Sequence, residues 1–219
     1  MTAQPTSSDA AEQASLLALF RAIATGERAQ AAAALRDAPE LARRALLVGA
    51  RRASPKPYFF ERICHYVYAG DTALHVAAAA YDVQLAEALL ANGANPSARN
   101  RRGAEPLHYA ADGVPASAAW NPAAQASLVR LLLRAGADPT SKDKSGVAPL
   151  HRAVRARCAA AVRCLLENGA DPEQQNKSGS TPLQLATKNT GRSGSGSTES
   201  RAQQREIVEL LRDRAARPR

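Results

Sequence analysis

Leucine returns along this chain at a wide, regular interval. TALHVAAAA at 72–80 is followed by EPLHYAADG at 105–113, APLHRAVRA at 148–156 and TPLQLATKN at 181–189, so that Leu74, Leu107, Leu150 and Leu183 stand 33, 43 and 33 residues apart. A second block trails the first in fixed order: LLANGANP at 89–96, LLRAGADP at 132–139 and LLENGADP at 165–172. The apolar positions of each pair of blocks predict two helices. In the first, Thr72, Glu105 and Thr181 stand where a cap belongs, and Pro106, Pro149 and Pro182 occupy the first helical position, where a missing N–H costs nothing. The second carries Leu85, Leu89 and Leu90, then Leu128, Leu132 and Leu133, then Val162, Leu165 and Leu166, spaced to line one helix face. Gly93, Gly136 and Gly169 stop it in the left-handed conformation. Alanine pairs such as Ala77–Ala78 and Ala110–Ala111 let neighbouring helices approach closely. No single unit can bury its own apolar face, so the units must stack.

His75, His108 and His151 share the third position of the first helical turn, and the fourth copy has Gln184 there. A side chain at that place reaches back to the cap residue and across to the adjacent loop, as in a capping box. Glutamine makes such bonds but is a poor acid–base catalyst, so the position reads as scaffolding rather than as a metal or catalytic site.

This two-block pattern resembles the ankyrin repeat, with its 33-residue period and T-P-L-H-x-A signature. The resemblance covers roughly residues 68 to 215. It implies an all-α solenoid of stacked helix-turn-helix units joined by β-turn or hairpin loops, and a non-catalytic protein–protein interaction module. The expected organisation is a flexible tail at 1–13 and one domain at 14–215. Within it, 14–42 is a degenerate first repeat broken at Gly26, 43–67 an insertion, and 68–100, 101–143, 144–176 and 177–215 are repeats.

Three segments depart from the period. The 43-residue interval contains ten extra residues within DGVPASAAWNPAAQA at 112–126, a loop with Pro115, Pro122 and the single tryptophan, Trp120. Trp120 is either a recognition anchor or a lid over its own repeat. Residues 190–203, rich in glycine and serine, read as a flexible loop. They graze a phosphate-loop pattern through Gly191, Gly196 and Thr198, but Ser197 stands where the lysine belongs. Residues 43–70 interleave Tyr58, Phe59, Phe60, Tyr66 and Tyr68 with Arg51, Arg52, Lys56 and Arg62. That mixture either stacks and neutralises nucleic acid or packs the joint between cap and solenoid. Cys64 and His65 are adjacent, and neighbours on a strand point to opposite faces, which argues against a nucleophile–base pair.

The net charge of +9 and pI near 10.0 favour acidic partners. Three cysteines without CxxC spacing fit a reducing cytoplasm. No basic leader opens the chain and no run approaches the ~20 apolar residues of a membrane helix, so a soluble protein is expected. Arginine bias and alanine richness hint at a GC-rich, bacterial genome. A monomer without cofactor, metal or small-molecule substrate is expected.

In the family, ligands are commonly gripped by the turn tips between repeats and by the exposed side of each first helix. Carried over, the resemblance implies a basic concave side of Arg101, Arg102, Lys144, Arg155, Lys177 and Lys188, opposed only by Asp71 and Asp112, with Tyr68 as aromatic anchor and Trp120 nearby. An acidic protein segment is the expected partner. The alternative is a nucleic-acid binder using the basic surface and the 51–68 segment, although no recognition motif such as a zinc finger is present.

Overall fold

The computed structural model describes residues 7–115, 120–187 and 197–216. Helices come in pairs, and the pairs stack. The helices are α1 (Ser7–Thr25) with α2 (Arg28–Asp37), α3 (Ala73–Ala79) with α4 (Val83–Ala91), α5 (Pro106–Ala110) with α6 (Pro122–Arg134), α7 (Pro149–Arg155) with α8 (Ala159–Glu167), and α9 (Pro182–Thr187) with α10 (Thr198–Ala215). The first helices form one layer in the order α1, α3, α5, α7, α9, and the second helices form the other in the order α2, α4, α6, α8, α10. Leu74, Leu107, Leu150, Leu128 and Leu165 are all buried in one continuous core, as are Ala77, Ala78, Ala110 and Ala111 between the layers. This is the all-α repeat solenoid implied by the sequence.

The histidines cement it. Nδ1 of His75 accepts the Thr72 N–H at 3.1 Å, His108 the Glu105 N–H at 3.1 Å, and His151 the Ala148 N–H at 3.2 Å. An acceptor Nδ1 in a neutral ring leaves the proton on Nε2. That nitrogen donates one repeat onward, to the carbonyls of Ala104, Val147 and Ser180 at 3.2, 3.0 and 3.1 Å. Gln184 makes the same backward bond, its Oε1 accepting from Thr181 N at 3.0 Å. Burial lowers the pKa of all three histidines, His108 to about 3.

Between repeats the chain makes hairpin-like tips, closed by bonds such as Asn100 N–H to Ala104 O and Asp143 N–H to Val147 O, both 3.0 Å. The tips also join one another. Arg101 N–H reaches Ala69 O at 2.7 Å, Lys144 N–H reaches Arg102 O at 2.8 Å and Lys177 N–H reaches Ser145 O at 3.0 Å. Gly70 makes the first junction feasible. Its φ is +88°, and a Cβ there would lie 2.6 Å from Asn100 Cα, so any side chain would push two repeats apart.

Two boundaries differ from the sequence expectation. The tail expected at 1–13 is already helical from Ser7, and the helix is tied to the start of the insertion. Gln13 accepts from Leu47 N at 2.7 Å and donates to Ala45 O at 3.3 Å, and Glu12 pairs with Arg44 at 2.6 Å. The loop expected at 190–203 ends early, since α10 begins at Thr198 under a Ser197 cap; residues 190–196, with Gly191 and Gly196, lie outside the described residues. Gln203 of α10 accepts from Ala159 N at 2.8 Å and Ser200 from the Arg157 guanidinium at 2.7 Å, which docks its first turns on α8 and the turn before it.

The insertion folds as a small hairpin, β1 (Phe59–Phe60) antiparallel to β2 (His65–Tyr66). Tyr58, Phe60 and Ile63 pack on the solenoid core, and Phe59 pairs with Tyr66 at 4.6 Å between ring centroids. Packing is therefore what most of these aromatics do. Arg51, Arg52 and Lys56 stay exposed. Among the described residues, no helix is long and apolar enough to cross a membrane.

Candidate functional site

One large groove runs along the first-helix layer, with a volume of about 1850 Å³. Its floor comes from a single register position of the repeat, the residue after each cap histidine or glutamine, through Tyr109, Arg152 and Leu185. One turn further along, Ala79, Ala80, Asp112, Gly113 and Arg155 continue it. The tips supply Arg102, Ser145 and Ser178.

Beneath the groove lies a buried polar knot. Asp71, 0 % exposed, accepts from Tyr68 N at 2.6 Å, Asn100 Nδ2 at 2.8 Å and Tyr109 OH at 2.9 Å. Proximity to Asp71 and burial both hold the Tyr109 hydroxyl protonated, its pKa raised mainly by burial. Asp71 is thus structural. It does not oppose the basic rim, contrary to the sequence expectation. Arg152, whose side chain is 14 % exposed, spans Asp112 at 3.2 Å and Asp143 at 3.0 Å. Burial alone would raise the Asp143 pKa, but the Val147 N–H and the Arg152 guanidinium override it and hold the carboxyl low.

The sequence-designated residues divide. Tyr68, Arg102, Arg155 and Trp120 all line the groove. Tyr68, however, is approached by two guanidinium groups, with Arg101 at 5.2 Å and Arg102 at 5.1 Å from its ring centroid. Two guanidinium groups thus already crowd the ring, which positions arginines as well as facing the groove. Arg102 also donates to the Tyr68 hydroxyl at 3.1 Å, while Arg101 turns away to the Ala50 carbonyl. Lys144 and Lys177 are exposed on the tips and outside the groove lining. Lys188 lies outside the described residues. Trp120 is half-buried and donates to Ala156 O at 3.1 Å, so it lies across the turn after α7 and keeps one edge toward the groove.

In the sequence His65 stands out only as the neighbour of Cys64, yet its ring rests on Tyr109 at 4.3 Å between centroids. Asp112, Asp71, Arg152 and His75 surround it electrostatically, and withdrawal from water lowers its pKa. Tyr109 and Arg152 carried a legible signal: at their register position the other repeats have Val76 and Leu185, so the polar exceptions mark where the floor changes character. Among the described residues no three histidine, cysteine, aspartate or glutamate side chains gather as a metal site requires.

A family model of ankyrin repeats in three copies matches residues 116–218, and a single ankyrin-repeat model matches residues 69–101. The chain belongs to the ankyrin-repeat family. Ankyrin repeats are generally protein–protein interaction modules and typically non-catalytic. No curated protein matches the chain. The α1–α2 pair and the hairpin lie outside both ankyrin matches.

Proposed function

We propose that this ankyrin-repeat protein binds a protein partner of acidic character through its concave groove and the adjoining turn tips. The observation that carries the reading is the uneven pairing of charge along the groove. Asp82 is held by Arg28 at 2.7 Å, and Asp112 and Asp143 by Arg152. Among the described residues this leaves Glu61 against Arg62, Arg102 and Arg155, which form no ion pair, while Lys144 and Lys177 extend the positive rim. Such a rim accelerates encounter with an acidic surface and rejects basic ones. The three free thiols suit a reducing, cytoplasmic setting.

Affinity capture from the source organism tests this. The Arg102→Glu/Lys144→Glu/Arg155→Glu variant alters three exposed groups and is expected to lose the captured protein while its melting temperature stays within about 6 °C of the parent, as surface changes usually cost under about 0.5 kcal/mol each and about 1 kcal/mol moves a chain of this size by about 2–4 °C. Capture that survives the triple reversal would refute the groove. Nucleic acid is a weaker second reading, because Tyr58, Phe60 and His65 are engaged in packing and leave Arg51, Arg52 and Lys56 with few free stacking surfaces. A salt titration against generic duplex and single strands is expected to show no steeply salt-dependent binding.

A further inference from the structure

The hairpin does more than fill a joint. Arg62, Cys64 and Tyr66 line the same space as Tyr109, Arg152 and Leu185, so the insertion stands as a wall over the floor of the groove. It is fixed at two places. Arg62 donates to the Thr25 carbonyl and packs over Gly26, and His65 sits on the ring of Tyr109.

We propose that the hairpin and the first-helix layer form a clasp for one extended, acidic segment of a protein partner, the hairpin being one jaw and the His65–Tyr109 contact setting its position. This rests on the reading above and narrows it from an acidic partner to a linear acidic segment. Size argues first. A volume of about 1850 Å³ is well beyond the roughly 300–1,000 Å³ of pockets built for small molecules. Shape argues next. A flat folded surface would meet the jaw before it reached Arg152 or Leu185, whereas a single strand-like segment runs alongside the jaw, whose His65 already covers Tyr109. The floor runs from α3 to α9, three steps of helix packing, or roughly 24–30 Å at 8–10 Å per step. An extended chain at roughly 3.3 Å per residue covers that in about eight residues. Charge argues last: among the described residues that line the groove, Arg62 on the jaw and Arg102 and Arg155 form no ion pair, so carboxylates spaced along the segment meet them in turn.

The protein carries its own reporter. Cys64 is exposed and lines the groove, whereas Cys158 and Cys164 are buried, with burial raising the thiol pKa of Cys158 to about 11 and that of Cys164 in the same direction. A thiol reagent therefore reads Cys64 first. Linear dodecapeptides are selected from a display library on the full chain, with counter-selection on Arg102→Glu/Arg155→Glu. The enriched peptides are synthesised, and the rate of Cys64 modification is followed with and without each. Acidic sequences are expected to enrich, to slow Cys64 modification at least tenfold at saturation, and to bind His65→Ala at least tenfold more weakly. The melting temperature of His65→Ala is measured alongside, so that loss through unfolding is recognised. No enrichment, neutral or basic winners, unprotected Cys64, or full affinity for a folded His65→Ala each overturns the clasp. If the cellular partner is still captured in an Arg102-, Lys144- and Arg155-dependent way, only the clasp falls; if both experiments fail, the groove reading falls with it.

Discussion

Lowering the pH from 7 to about 4.5 is expected to lower the melting temperature of the full chain by on the order of 15 °C, with most of the loss traceable to His75, His108 and His151. Each is 0 % exposed and held as a neutral ring, accepting at Nδ1 and donating at Nε2. A proton on Nδ1 would turn the acceptor of a backbone N–H into a second donor facing it. Burial above all holds the folded pKa values below the ordinary 6.5, His108 at about 3. As pH falls through 6.5 the unfolded chain takes up protons that the folded chain refuses, so unfolding is favoured progressively, for His108 down to about pH 3. For His108, two pH units below 6.5 amount to about 2–3 kcal/mol at 1.36 kcal/mol per unit, and His75 and His151 act in the same direction. Asp143, whose pKa is lowered, adds its own loss as pH falls through the ordinary 3.8 and on below it, so the window between pH 6.5 and 4.5 belongs mainly to the histidines. The variant His75→Gln/His108→Gln/His151→Gln keeps the backward cap bond that Gln184 already makes and has nothing to titrate there. Its melting temperature is expected to start lower at pH 7 and to fall far less on acidification. Parallel curves for the two proteins would show that the imidazoles are not the acid-sensitive element.

That a histidine ladder was visible at all from the chain follows from periodicity. Leu74, Leu107 and Leu150 each precede a histidine, Gln184 breaks the chemistry without breaking the pattern, and the cap geometry needs only residues three apart. The stacked layers were legible for the same reason, since every repeat presents the same apolar face to its neighbour. What stayed hidden depends on contacts between repeats. Tyr68 read as a free aromatic because the two arginines that crowd it come one repeat later in the chain. Asp71 read as an exposed acid because Asn100 and Tyr109, which bury it, lie 29 and 38 positions onward. The Arg152 bridge to Asp112 joins residues 40 apart. The hairpin belongs to no period, so nothing in its residues announced that His65 would cross to Tyr109. Basic residues on tips and inner helices were legible as positions, but which of them share the groove was decided by these longer-range bonds.

The knot around Asp71 carries the second large effect. Asp71→Ala is expected to cost about 3–5 kcal/mol in urea unfolding, followed by the fluorescence of Trp120, the single tryptophan. Three donors converge on the carboxylate, the Tyr68 N–H, the Asn100 amide and the Tyr109 hydroxyl, and the site excludes water, so truncation leaves the Tyr68 N–H and the Tyr109 hydroxyl without their acceptor in a closed space and the Asn100 amide with only its bond to the Tyr109 hydroxyl at 3.0 Å. Tyr109→Phe removes the hydroxyl that donates to Asp71 and accepts from Asn100, keeps the ring that supports His65, and is expected to cost about 1.5–3 kcal/mol, the range for a hydrogen bond to a carboxylate. Because the two groups bond each other, adding Tyr109→Phe to Asp71→Ala is expected to cost less than it does alone, a coupling of about 0.5–3 kcal/mol. Strict additivity would mean that the hydroxyl finds another acceptor when Asp71 is gone. The same pair separates scaffold from recognition. Asp71 has no accessible surface, so its loss can reach the partner only through the Tyr68–Arg102 contact and the Tyr109 floor it holds in place. Tyr109→Phe leaves both standing and is expected to leave partner capture intact.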